Sequence, residues 1–302
     1  MKLLYYGWWY LKCRLLGKRI PLQSVVSVTT RCNLNCKHCL VAKAIGSGLL
    51  KAEDFKFSKL LPILRYCYNT GARIIHFEGG EPLLWRDGDY SIEHLIQVSK
   101  KIGFFATSFT TNGTLPINSS ADLIWVSVDG TREIHDEIRG VGCFDRMMKN
   151  VACSSHPRIH ANMVINRLNY MVVEDVIKMV ARSTGFRAIS LNFHTPHRGV
   201  EDLFLPWEQR REVIHVIIRL KKQGFQIINS VAGLKLFYSN NWKKQCWISS
   251  FFLPSGALSS ECPGSREGIC DRCGYGMGVE MSALFDLKFA AIREALGVFS
   301  KG

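Results

Sequence analysis

The stretch SVVSVTTRCNLNCKHC, residues 24–39, joins an apolar, β-rich run to three cysteines in the spacing CxxxCxxC. Val25, Val26 and Val28 read as a buried strand, with Thr29 and Thr30 as its polar exit. Cys32, Cys36 and Cys39 follow at once, on the loop leaving that strand. Three thiolates this close cannot complete a tetrahedral metal site. They can hold three corners of a cubane iron–sulfur cluster and leave one iron open for chemistry. The rival readings are three buried cysteines or part of a zinc site.

Outward from this stretch the strand pattern repeats. Apolar, β-rich runs at Ala72–Phe77, Phe104–Thr110, Leu123–Val128, His160–Ile165 and Ala188–Phe193 alternate with segments of helical period at Phe57–Tyr68, Ile92–Ile102, Phe144–Ala152, Val173–Arg182 and Trp207–Lys222. This alternation predicts parallel pairing with right-handed crossovers, and active groups at the carboxyl ends of the strands. Gly79, Gly80, Glu81 and Pro82 follow the second run, where two glycines let a backbone edge approach a ligand closely. Thr110 to Gly113 end the third run and Ser127 to Gly130 the fourth. Their hydroxyl, amide and carboxylate groups suit ribose hydroxyls and a carboxylate, and each alone also suits a turn or helix cap.

Taken together, the loop Cys32–Cys39 and the turn Gly79–Pro82 resemble the cluster loop and GGEP turn of the radical S-adenosylmethionine (radical SAM) superfamily. The resemblance runs from Ser24 to about Asn192 and implies an α/β fold, a partial (βα)6 TIM-like barrel. It implies a [4Fe–4S] cluster on Cys32, Cys36 and Cys39, with the methionine amino and carboxylate groups of S-adenosylmethionine chelating the fourth iron. The reduced cluster of the family cleaves the sulfonium to a 5′-deoxyadenosyl radical. The same resemblance implies that Gly79, Gly80, Glu81 and Pro82 bind the cofactor's amino group. It assigns Thr111, Asn112, Ser127 and Asp129 to further cofactor contacts and Arg139 to the cofactor carboxylate. Asn169 matches an asparagine that follows the fifth strand in related enzymes. His194, Pro196, His197 and Arg198 after the sixth strand read as substrate-facing or as ordinary loop residues.

Three regions follow: a basic amphipathic segment at 1–20, a barrel at 21–235 and a Cys-rich extension at 236–302. In the first, MKLLYYGWWYLKCRLLGKRI mixes Leu, Trp and Tyr with five Lys and Arg residues. That composition fits a helix lying at a membrane surface or one capping the barrel with its aromatic face inward, but not a bilayer span. In the last, Cys246, Cys262, Cys270 and Cys273 arrive within 28 residues as C-x15-C-x7-C-x2-C among many glycines. Such a loop is short of apolar residues, so a metal would supply its constraint. A second iron–sulfur cluster, zinc and unligated thiols are the three readings. Ser282–Phe299 carries a helical period and is expected to pack back on the barrel.

The chain has 302 residues, 47% of them hydrophobic, eleven cysteines and a net charge of +14. No signal peptide is visible, and the cysteines cluster in metal-like spacings, which points to a reducing, cytoplasmic compartment, at most peripheral on the membrane. Cys13, Cys67, Cys143 and Cys153 read as small core residues. The positive charge suits a small acidic electron donor of ferredoxin or flavodoxin type, or anionic lipid; no RNA-binding motif is present. Residues 270–283 and the LLGKRIPL opening look like the corresponding parts of adenosylhopane synthase-type enzymes, which makes a membrane lipid the leading substrate. A peptide-modifying enzyme with an auxiliary cluster is the runner-up. A Cys-rich metal-binding scaffold without activity explains the thiols but not the turn at Gly79–Pro82.

Overall fold

A computed structural model describes residues 2–288 and residue 292. In chain order the strands are β1 (Gln23–Thr29), β2 (Ile74–Gly79), a short hairpin of β3 (Arg86–Asp87) and β4 (Tyr90–Ser91), β5 (Ala106–Thr111), β6 (Leu123–Ser127), β7 (Ile159–Ile165), β8 (Ala188–Phe193), β9 (Ser249–Phe252) and β10 (Leu258–Ser259). The helices are α1 (Lys2–Leu15), α2 (Leu40–Gly46), α3 (Phe57–Asn69), α4 (Ile92–Ile102), α5 (Arg132–Arg139), α6 (Cys143–Cys153), α7 (Val173–Arg182), α8 (Trp207–Lys222), α9 (Val231–Ser239), α10 (Pro263–Arg266) and α11 (Gly276–Phe285). Of the helix expected over Ser282–Phe299, the first four residues end α11, and most of the remainder lies outside the described residues.

The main sheet runs β10-β9-β1-β2-β5-β6-β7-β8. Every neighbouring pair from β9 to β8 is parallel, as the strand–helix alternation requires. Among the described residues no pairing joins β8 to the other edge, so the barrel is an open one. The tail does not stand apart from this sheet. β9 pairs with β1 in the register Gln23↔Ser249 to Val26↔Phe252, and β10 returns antiparallel beside it.

Each strand sorts its side chains by face. Ile75, Phe77, Phe109, Ile124, Val126, Met163 and Leu191 are sealed between sheet and helices, in one core with Leu64, Leu95, Val176 and Ile217. The alternate residues turn inward and include many polar ones, Ser27, His76, Glu78, Ser108, Thr110, Ser127, His160, Asn162, Ser190 and Asn192, beside the apolar Val25, Ile74, Leu123, Trp125 and Val164. A barrel interior of ordinary type is packed with branched aliphatic side chains. This one carries polar side chains on every strand from β1 to β8 of the main sheet.

Helix α1 caps the tail side of the fold. Trp9 and Cys13 are buried with Ile248, Met281 and Phe285, and the Trp9 indole N–H donates to the carbonyl of Ile20 at 2.9 Å. The opposite stripe, Leu4, Trp8, Leu11 and Leu15, remains at least half exposed. The helix therefore has two apolar faces, one docked and one open. No helix among the described residues is long and apolar enough to cross a membrane.

Candidate active site

The loop after β1 is fixed before its cysteines begin. Thr29 and Thr30 are buried, and their hydroxyls donate to Asp54 (2.6 Å) and to the carbonyl of Lys51 (2.5 Å). Past them the Lys37 amide donates to the Ile138 carbonyl at 2.9 Å, while the Lys37 ammonium meets Glu137 at 2.8 Å. This joins the loop to α5. Cys39 caps α2, its sulfur accepting from the Ala42 amide at 3.4 Å. Burial pushes the Cys36 thiol up to about 12 against the pull of the Arg139 guanidinium. Cys32 is raised as well, chiefly by burial, and accepts a weak hydrogen bond from Asn112 Nδ2 at 3.8 Å.

Residues 79–82 are locked onto that loop. The amides of Gly80 and Glu81 donate to the carbonyls of Thr29 and Arg31 at 2.8 and 2.9 Å. A Cβ on Gly79 would lie 2.1 Å from the Thr29 oxygen, and one on Gly80 2.1 Å from the Arg31 oxygen. The close approach that the glycines permit is thus to the backbone of the cysteine loop. Glu81 is fully buried and accepts from Thr111 Oγ1 (2.7 Å), the Asn112 amide (2.8 Å) and the Leu83 amide (3.0 Å). Burial raises its carboxyl, with these donors opposing. Pro82 opens the single helical turn that follows.

Asn112 turns to the loop and donates to Asn33 Oδ1 at 2.9 Å, while Asn33 donates to Thr114 Oγ1 at 2.8 Å. At the end of β6, Asp129 is fully enclosed and receives Arg139 Nε at 2.7 Å and the Val164 amide at 3.1 Å, with His38 Nε2 at 3.5 Å. Burial works to raise the Asp129 carboxyl, but Arg139, His38 and His135 together hold it below its ordinary value. Arg139 and Asp129, assigned separately from sequence, are partners. Asn169 donates to the Asp129 carbonyl at 3.0 Å. Ser127 lies on the lumen face opposite Asn162 of β7. The expected cofactor residues therefore fall into two hydrogen-bonded groups beside the three cysteines, Glu81 with Thr111 and Asn112, and Asp129 with Arg139, while Ser127 joins neither through a side-chain bond among the described residues. His38 and His135, which sequence alone does not single out, lie with Asp129, and burial holds both imidazoles neutral, down to about 4.

The four tail cysteines converge at a second place, beyond β8. Cys246, Cys262, Cys270 and Cys273 line one small cavity with Lys244, Thr195 and Tyr275. Cys246 donates to Cys262, which with the Gly264 and Ser265 amides at the start of α10 draws the Cys262 thiol below its ordinary value. Arg210 anchors this region. It is buried among Phe193, Phe204 and Trp207 and donates to the carbonyls of His194 (2.8 Å) and Cys273 (3.1 Å). His197 and Arg198 grip Glu267, and His197 Nε2 also meets the Tyr275 hydroxyl at 2.8 Å.

Both thiol groups have the chemistry of an anionic metal–sulfur group: neighbouring thiols help to raise Cys36 in the first and Cys246 and Cys273 in the second, with Arg139 beside the first and Lys244 beside the second. Among the described residues no three His, Cys, Asp or Glu side chains close on a point as a single metal ion requires. A cluster of several irons holds its thiolates farther apart than one ion does.

A family model described as the radical SAM superfamily matches residues 26–165. The chain is 28% identical over 220 residues to the "Probable GTP 3',8-cyclase" of Saccharolobus islandicus, covering 67% of this chain and 68% of that protein. It is 26% identical over 223 residues to the "Antilisterial bacteriocin subtilosin biosynthesis protein AlbA" of Bacillus subtilis, covering 67% of this chain and 47% of that one. The crystal structure of Streptococcus suis SuiB bound to precursor peptide SuiA superposes with a TM-score of 0.64 at 15% identity, over 86% of this chain and 64% of SuiB. The chain thus spans about half the length of AlbA and under two thirds of SuiB.

Proposed function

Because the chain belongs to the radical SAM superfamily, we propose that it cleaves S-adenosylmethionine reductively and turns the resulting adenosyl radical on a polar substrate of peptide class held in the lumen. The cofactors are the family's own, a [4Fe–4S] cluster and S-adenosylmethionine. Cys32, Cys36 and Cys39 are the residues that would hold the cluster, which supplies the electron for carbon–sulfur cleavage. The chain's own part is positional. Arg139, neutralised on one side by Asp129, offers its remaining N–H groups and its charge to an anionic centre beside Cys36. Asn112 and Glu81 hold the ends of β5 and β2 against the cysteine loop, so the loop cannot shift without breaking buried hydrogen bonds.

The observation that favours a peptide over a polycyclic lipid is the inner face of the sheet. An apolar ring system pressed on Glu78, which has no hydrogen-bond partner among the described residues, would strip water from its carboxylate and return no hydrogen bond, at a cost of roughly 1–3 kcal/mol. A peptide supplies donors for the same group. The relative named for bacteriocin biosynthesis agrees with this choice. The test is anaerobic reconstitution with iron and sulfide, then assay of 5′-deoxyadenosine with and without the Cys36→Ala change. Product from the wild type and none from the variant is expected, whereas equal rates would sink the assignment.

The open stripe of α1 favours a second reading that concerns location. With Leu4, Trp8, Leu11 and Leu15 outward and no acidic residue in the helix, α1 fits the surface of an anionic membrane. Deleting the helix would also uncover Met281 and Phe285, so exchange of Leu4, Leu11 and Leu15 for Ser is the cleaner probe. Loss of binding to phosphatidylserine vesicles with unchanged stability is expected. Wild-type protein that ignores such vesicles at low salt would exclude it.

A further inference from the structure

Among the described residues two carboxylates are buried, and both are fully provided for. Glu81 has three hydrogen-bond donors; Asp129 has a guanidinium and a backbone amide. Glu78 is partly buried and differs from both. Strand β2 alternates Ile75 and Phe77 toward the helices with His76 and Glu78 toward the lumen, and the register places Glu78 beside Ser27 of β1. Among the described residues its carboxylate has no ion pair or side-chain hydrogen bond, and burial alone pushes it up to about 7. His76 does not serve it: its two ring nitrogens meet Ser108 Oγ at 2.9 Å and Thr110 Oγ1 at 3.1 Å, and burial keeps the ring neutral.

We propose that Glu78 is the anionic subsite of the lumen and takes a cationic group of the substrate, the ammonium of a lysyl or the guanidinium of an arginyl side chain. The proposal rests on the reading above that the lumen receives a peptide. A partly buried carboxylate without a donor is a liability in the free protein, and a glutamine of the same shape would fold at lower cost. A ligand cation turns that liability into a charge-assisted contact in a site shielded from water. Tyr275, its hydroxyl held by His197, lies within electrostatic reach of Glu78 and is the aromatic group nearest in charge terms to a cation bound there. Glu78 also directly precedes the Gly79–Gly80 turn that is packed on the cysteine loop, so a side chain held there lies next to the proposed radical source.

The test uses the full chain, reconstituted without oxygen, and three probes: acetyl-Gly-Lys-Gly-amide, its Arg counterpart and its norleucine counterpart. The wild type is expected to bind the two cationic peptides about tenfold or more tightly than the norleucine peptide. Glu78→Gln should erase that preference, and Glu78→Asp should retain part of it. Binding of S-adenosylmethionine and its cleavage without peptide should be unchanged in both variants. A preference that survives Glu78→Gln, or a wild type with no preference or no binding, overturns the proposal. So does a matching loss of S-adenosylmethionine binding, since the carboxylate would then serve the cofactor's ammonium. Failure of the radical reading looks different: no 5′-deoxyadenosine from the wild type, with the peptide preference still measurable.

Discussion

Glu78→Gln should stabilise the protein, chiefly at neutral and alkaline pH. The carboxyl moves from an ordinary 4.5 to about 7 on folding. At about 1.4 kcal/mol for each tenfold change, that corresponds to roughly 3 kcal/mol. The folded state holds the proton more tightly, so the wild type keeps its full stability below pH 4.5, loses it as the pH climbs, and is lowest above pH 7. Glu78 retains some contact with lumen water, which screens the charge, so a gain of about 1–3 kcal/mol is expected at pH 8 and about a quarter of that at pH 5. The other titratable groups on this face do not imitate the effect. His76 is neutral above about 4, and Tyr275 is raised well above its ordinary value of 10. Thiols of the tail that titrate in the window do so in both proteins and cancel from the difference. The assay is anaerobic urea denaturation of both reconstituted proteins at several pH values, compared by midpoint. A variant no more stable at pH 8, or equally more stable at pH 5, would refute the claim that Glu78 stands unpaired.

Asp129→Asn should cost about 3–5 kcal/mol, because it leaves Arg139 buried without its partner; chemical denaturation checks it, and a loss below 1 kcal/mol would mean that the pair is dispensable. Gly80→Ala should lower the iron taken up by the Cys32 loop, since its Cβ would meet the Arg31 carbonyl at 2.1 Å. Iron and sulfide analysis of that variant reads the effect, and unchanged content would show that the turn yields easily. Alanine at Cys32, Cys36 and Cys39 together should leave about four irons per chain on the tail cysteines. Zinc there, or no metal, would instead exclude an auxiliary cluster.

The strands were legible because each crosses the sheet as a short apolar run bounded by polar exits, and parallel order follows from the helices between them. Strand β9 was not, since Ser249–Phe252 is four residues long and pairs with β1 across more than two hundred residues of chain. The three cysteines could be found by spacing alone, as a loop of eight residues carries its own geometry. The partners of Asp129 and Glu81 could not. They come from four different elements, and a lone His38 or Thr111 reads as an ordinary loop or strand residue. The alternation His76, Phe77, Glu78 was visible in the sequence, but the lack of a partner for Glu78 is a fact about everything around it.

Asp129, Glu81 and Glu78 divide the work of the site by what each is given. Asp129 is given a full positive charge and stays ionised, so its role is to hold Arg139 where a second anion can share it. Glu81 is given hydroxyl and amide donors but no cation within bonding distance, so it works as a fixed acceptor that clasps two strand ends together. Among the described residues Glu78 is given no donor, although Ser27, His76 and Thr110 neighbour it with groups that could have been arranged to donate. His76 spends both ring nitrogens on neighbouring hydroxyls instead. A fold that satisfies two buried carboxylates so thoroughly and leaves Glu78 open, on the inner face of its sheet, has kept that charge available for what binds there.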